Sequence, residues 1–269
     1  MLNLYITDLK KIIKDKLFLV TCILAARLAI GNPLTYKLLF EALGVGELLG
    51  DFMNSKSLFF SSFSPGNNIG IIMPILIAII VCKDFSQGTV RNKIISGKSR
   101  TTIFISHFLS AATIMCAIML IQGALTLGVS LLFFGYQSEP FTAYDFGYLL
   151  ISLLFEMIIY CAIAAIITYI ATISKNMGIC IILYLAISFG ASIIGTILQL
   201  AGAFVEPETT KYYVIEFINS INFYVSSASV GAGSTYTAKE VLYILMGPVI
   251  FGVGSALVGI CMFRKKDLK

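Results

Sequence analysis

Gly97, Lys98 and Ser99 are the residue types a phosphate-binding loop uses: a glycine that admits phosphate, a lysine for its oxygens and a hydroxyl for magnesium. That loop also needs a glycine five positions before Gly97, where this chain has Asn92, and an apolar run rather than a strand pattern comes before it. Nucleotide binding by the chain itself is therefore not expected. His107 is the sole histidine, so no histidine-based metal cluster is expected. Cys22, Cys82, Cys116, Cys161, Cys180 and Cys261 lie within or at the ends of apolar runs, without a CxxC or Cys/His grouping, and read as small buried hydrophobes. HExxH, a Ser/His pair and paired in-membrane aspartates are all missing, which excludes the usual intramembrane proteases.

Two ionisable residues do stand inside apolar runs, Arg27 and Glu156. A charge at bilayer depth is costly unless paired, hydrated or snorkelling, so both are candidate functional residues, and pairing with each other is one expectation. The alternative has Arg27 snorkelling outward and Glu156 near the outer headgroups.

The elements that must carry these residues are helices in a membrane. Of 269 residues, 58% are hydrophobic and 12% charged, with a mean hydropathy of +0.93, more apolar surface than one soluble core could hide. The expected fold is all-α and polytopic: an amphipathic interfacial helix over residues 1–16, then a six-span membrane domain over 17–269. Leu2, Ile6, Leu9 and Ile13 form the apolar stripe of the first helix, with Lys10, Lys11 and Lys14 around its other face. A cleaved signal peptide is the competing reading, but Arg27 would interrupt its apolar core. The six spans fall at about Leu17 to Tyr36, Phe63 to Cys82, Thr102 to Phe134, Tyr148 to Ile173, Met177 to Gly202 and Val241 to Phe263. Pro33 lies in the first, and Pro65 or Asn67 near the outer end of the second.

Charge orients them. With the N-terminus inside, the inner segments carry 14 Lys and Arg against four Asp, and the outer segments four Lys against nine Asp and Glu. The outer acids are Glu41, Glu47, Asp51, Glu139, Asp145, Glu206, Glu208, Glu216 and Glu240. By the positive-inside rule both termini are cytoplasmic, which requires an even number of spans. A multi-pass plasma-membrane protein, bacterial in type, is expected.

The stretch "KDFSQGTVRNKIISGKSR", residues 83–100, is then the first cytoplasmic loop. Asp84 can cap a helix beginning at Phe85, with Gln87 reaching back, and Val90 and Ile94 share a face beyond a bend near Gly88. A solvated basic turn that only fixes topology is the plainer alternative. This run resembles the first cytoplasmic loop of ABC-2-type transporter permeases: an acidic residue, an aromatic, two variable residues, Gly-Thr and a basic tail entering the third span. Asp84, Phe85, Gly88, Thr89, Arg91 and Arg100 fall on that pattern, with Asp84 where Glu is usual. The resemblance implies a non-enzymatic permease that docks a separate ABC ATPase subunit, in two copies, and pairs with a second permease chain as homodimer or heterodimer. ATP and magnesium would sit on the ATPase, and this chain would bind no cofactor or metal. Asp84, Phe85, Gly88, Thr89 and Arg91 would couple the ATPase to the spans, with Phe85 as an apolar anchor and Arg91 and Lys93 pairing with acidic groups of the partner.

In the outer segment, residues 203–238, Tyr213, Phe217, Ile221 and Tyr224 repeat at helical spacing and predict an aromatic-faced helix, either an interfacial anchor or, as the resemblance implies, a lid on the exit path. Small residues four apart, Ala191/Gly195, Gly252/Ala256 and Ser255/Gly259, predict close helix packing within the chain. So few charges in the membrane suit a hydrophobic or amphipathic passenger: a peptide, a bacteriocin as in immunity, or a lipophilic antibiotic as in resistance. Sodium and polysaccharide export also occur among such permeases. The alternative class is an ion-coupled carrier working without an ATPase. Nothing in the sequence points to nucleic acid.

Overall fold

A computed structural model describes residues 1–44, 54–65, 69–135, 141–174, 176–206, 209–231, 233 and 235–265. Asn67, Glu47, Asp51, Glu139, Lys175, Glu208, Lys266, Asp267 and Lys269, used above to place spans or count charge, lie outside them. Among the described residues every regular element is a helix: α1 (Leu2–Lys14), α2 (Lys16–Leu43), α3 (Ser55–Phe63), α4 (Ile69–Ser86), α5 (Thr89–Ile95), α6 (Arg100–Phe134), α7 (Ala143–Ser174), α8 (Met177–Ala203), α9 (Thr210–Ile221), α10 (Phe223–Ser229) and α11 (Ala238–Lys265). Five of these, α2, α6, α7, α8 and α11, are long and apolar enough to cross a membrane. The bent pair α4–α5 brings the number to six if counted as one span.

α7 is the axis of the bundle. It packs against α4, α6, α8, α10 and α11, and residues from Tyr148 to Thr172 are buried along its length. Contact with α11 is close because Gly252 has no side chain: a Cβ there would lie 2.9 Å from the Ala162 methyl. Gly195 and Gly259 likewise meet side chains of this chain, Val225 and Phe104, so these small residues pack internally, as expected. Leucine and isoleucine side chains remain exposed along α2, α8 and α11, the faces a bilayer would cover.

Several boundaries differ from the sequence-based expectations. α2 runs on to Leu43 with Pro33 inside it. Phe63 ends the short helix α3 instead of opening a span, because Ser64 and Pro65 break the chain before α4 starts at Ile69. The outer aromatic stripe is split at Asn222, whose side chain caps α10 by accepting from the Tyr224 amide. Tyr213 and Phe217 stay exposed on α9 and Ile221 ends it, while Tyr224 is buried on α10. The four residues therefore do not form one face. In α1 the apolar stripe is also not the buried side: Leu2, Ile6 and Ile13 are exposed, and the face turned to the protein carries Leu4, Asp8 and Ile12. The helix thus has two faces, an exposed apolar stripe and a buried side that carries Asp8 into the bundle.

Candidate functional site

The loop 83–100 folds as a hinged lever. α4 continues through Asp84 and Phe85 to Ser86, and the chain then turns by 56° into α5. Gly88 makes the turn at φ +71°, a left-handed conformation that side-chain-bearing residues adopt at a cost, and nothing would crowd a Cβ there. Gly97, at φ +84°, ends the lever, and the Ser99 hydroxyl then caps α6 by accepting from the Thr102 amide. The bend near Gly88 and the Val90/Ile94 face agree with the sequence. The capping role of Asp84 does not, since Asp84 lies within the last turn of α4.

Asp84 is instead buried in an ion-pair cluster that joins four helices. Lys93 Nζ, from α5, lies 2.6 Å from Asp8 Oδ1 on α1 and 3.3 Å from Asp84 Oδ2 on α4. Lys11 reaches Asp84 Oδ1, and Ser106 Oγ on α6 donates to Asp8 Oδ2 at 2.6 Å. His107, also on α6, is buried with Nε2 at 3.7 Å from Asp84 and 3.4 Å from Lys93 Nζ. The Lys93 and Lys11 ammoniums match the two carboxylates charge for charge. Asp8, Asp84 and His107 could together ligate a cation, a grouping the single histidine did not lead us to expect, but Lys93 Nζ already stands between them. At the rim Lys83 Nζ lies 3.0 Å from Asp15, and the Leu17 amide, followed by Lys83, holds the Asp15 carboxyl below the usual carboxylate range.

The same packing reassigns the other residues of the stretch. Lys93, expected to meet an acidic partner, is used within the chain. Phe85, half-buried, packs edge-on against Phe263 with centroids 5.7 Å apart and beside His107. Val90 and Phe104 extend that cluster, and Arg100 donates to the carbonyls of Phe263 and Arg264 at the end of α11. Thr89 opens α5 and is half-buried. Arg91, Asn92, Ile95 and Lys98 are among the residues that the lever exposes. Asp8 was missed by the sequence reading; the one signal for it was an acid amid the lysines of α1, one turn from Leu4 and Ile12.

Arg27 and Glu156 are not brought together: Arg27 is exposed on α2, and among the described residues no ion pair joins them. Glu156 is 1% exposed, accepts from Ser227 Oγ of α10 at 2.8 Å, and its Oε2 has no partner. Beyond α10, a cavity of about 650 Å³ opens between α8, α9, α10 and α11, lined by Gln199, Glu216, Asn219, Ser226 and Tyr243 among others. At its edge Lys239 Nζ lies 2.9 Å from Glu216 and over the rings of Tyr213 and Tyr243.

Fold and sites together define a helical protein with several membrane-length helices, a hinged lever at its basic end and a buried carboxyl in its core. The chain belongs to the family described as "Protein of unknown function (DUF2705)", whose model matches residues 17–269, from α2 to the C-terminus. No curated protein matches it.

Proposed function

We propose that this chain is the permease subunit of an ATP-driven ABC exporter of the ABC-2 type, with six spans, both termini in the cytoplasm and a separate ATPase docked on the α5 lever. The observation that supports it most is the mechanical one. A two-turn helix, bent 56° from the apolar helix α4, is clamped by Lys93 to α1 and α4 and packed by Val90 against α6, so a push on α5 moves those helices together. A floppy basic loop would absorb such a push. The exposed Arg91 and Ile95 are the surface left for the ATPase, while Asp84, Phe85 and Gly88 hold the lever's shape and Thr89 starts it. The passenger is hydrophobic or amphipathic, of peptide, peptide-toxin or antibiotic type, and the cavity walled by α9 and α10 is where it would leave.

The test is co-purification. The chain alone hydrolyses no ATP and gains passenger-stimulated hydrolysis with a bound ATPase. Arg91→Glu with Ile95→Asp abolishes that association while the chain stays folded. Passenger transport by the isolated chain in liposomes would overturn the exporter and favour the second reading, an ion-coupled carrier, which the partly unpartnered Glu156 carboxyl supports.

A further inference from the structure

Glu156 has one hydrogen-bonding partner and, among the described residues, no ion pair. An ionised carboxylate in that position would be a bare charge in the centre of a bundle, a state folded proteins avoid by neutralising the group. The groups around it cannot balance a charge. α7 offers Tyr160, which stands beside Glu156 and donates its hydroxyl to the Phe63 carbonyl at 2.8 Å. α10 offers Ser227; Tyr160 in turn neighbours Cys116 of α6 and Tyr224 of α10, and Tyr224 neighbours Tyr184 and Ser188 of α8. One turn outward, Ser152 meets the Tyr236 hydroxyl at 2.6 Å beside Tyr148. All of these are neutral at physiological pH. The charged residues of the packing helices α4 and α11 lie at their ends: Lys83 and Asp84 on α4, and Lys239, Glu240, Arg264 and Lys265 on α11.

Further unmet polar atoms stand nearby through Tyr160. The hydroxyls of Tyr184, Ser188 and Tyr224 lie near one another, buried, without a good hydrogen bond, and Tyr160 neighbours both Tyr224 and Glu156. A carboxylic acid suits such surroundings, because its carbonyl oxygen accepts from Ser227 and the neutral group brings no charge that they would have to balance. The wall separating it from the outer cavity is one short helix: Ser227 and Tyr224 of α10 are buried inward, while Val225, Ser226 and Ser229 line the cavity.

We propose that Glu156 is a proton-binding site, held as a neutral carboxylic acid by the closed bundle and exchanging its proton with the outer cavity when α10 shifts. The step is a single transfer: the Oε2–H bond breaks, water in the cavity takes the proton, and the carboxylate left behind has only Ser227 to face. That ion is stabilised by water which the closed bundle keeps out, so losing the proton favours the position in which α10 stands away from α7, and opening α10 lets the proton leave. The site is independent of the exporter reading and would serve a carrier equally.

Infrared spectroscopy of the full chain in lipid nanodiscs tests it. At neutral pH in choline buffer, the C=O band of a protonated carboxylic acid is expected, lost in Glu156→Gln and titrating away at alkaline pH. Backbone hydrogen exchange of residues 223–229, divided at each pH by the intrinsic base-catalysed rate, should rise at least tenfold over the same pH range in the native chain and stay flat in Glu156→Gln. Native and Glu156→Gln spectra that agree in that region would show an ionised Glu156 and overturn the proposal. So would a band that sodium removes at constant pH, since the occupant would then be a metal cation, or a pH-dependent loss of protection, relative to the intrinsic rate, that persists in Glu156→Gln. Should that variant fail to assemble, Ser227→Ala keeps the carboxyl and must shift its C=O band; an unmoved band overturns the proposal as well.

Discussion

Two buried polar regions of this protein solve the same problem in opposite ways. At the basic end, Asp8 and Asp84 are matched by Lys93 and Lys11, with Ser106 adding a further bond, so charge is kept and neutralised inside the chain. In the centre of the bundle, Glu156 has one hydroxyl for a partner and no counter-charge among the described residues. A matched cluster resists change, because removing any member strands the others. An unmatched acid invites exchange, because a proton can arrive or leave without breaking a salt bridge. The first arrangement suits the force transmission proposed for the lever, the second the proton exchange proposed for Glu156.

Lys93→Met is the strongest test of that contrast. It leaves two buried carboxylates short of a partner, and breaking a buried pair from one side costs about 3–5 kcal/mol. Thermal unfolding in nanodiscs should show a large loss, and Asp8→Asn added to Lys93→Met should recover part of it. If the double variant is no more stable than Lys93→Met, the cluster is not the clamp described here. Gly88→Ala tests the same region through its backbone: forcing a Cβ into φ +71° costs about 1–2 kcal/mol without touching any charge. A neutral effect would mean that the hinge readily adopts another angle.

Glu156→Gln should behave differently. The amide keeps an acceptor for Ser227 and removes only an ionisable proton, so stability is expected to stay within about 1 kcal/mol of the native chain. A loss comparable to that of Lys93→Met would show that Glu156 is a structural charge with a partner, which breaks the comparison.

Much of this was legible in the sequence, and the misses have physical reasons. The long apolar runs became helices because crossing-length hydrophobicity depends on composition alone, and Gly88 announced its bend because few other residues accept a positive φ. The role of Asp84 was misjudged because the local pattern of acid, aromatic and glycine reads as a helix start, while its partners Lys11 and His107 are distant in sequence. The outer aromatic stripe failed at Asn222, since a spacing of 11 residues carries no sign that a side chain will cap a new helix midway. Arg27 and Glu156 were paired by depth and opposite charge, neither of which fixes which face of a helix each occupies.

The smallest expected effect lies at the rim of the basic region, where Asp15 separates α1 from α2. Its carboxyl is held below the ordinary range by the Leu17 amide first and by Lys83 second. The folded state therefore binds a proton there less readily than the unfolded chain. Stability from this contact is fully present above the unfolded carboxylate pKa of about 4 and fades as the pH falls through the lower folded value. Lys83 is one-third exposed, so salt and water screen the pair, and the loss should be a small fraction of that caused by Lys93→Met. The measurement is the unfolding midpoint between about pH 6 and pH 3 for the native chain and Asp15→Asn. The native chain should lose slightly more stability on acidification, and high salt should narrow the difference between the two proteins without abolishing it, because the Leu17 hydrogen bond is local. A difference erased by salt would assign the contact to Lys83 alone. The amide would then no longer account for the joint between α1 and α2, leaving the Lys93 cluster as the connection of α1 to the lever.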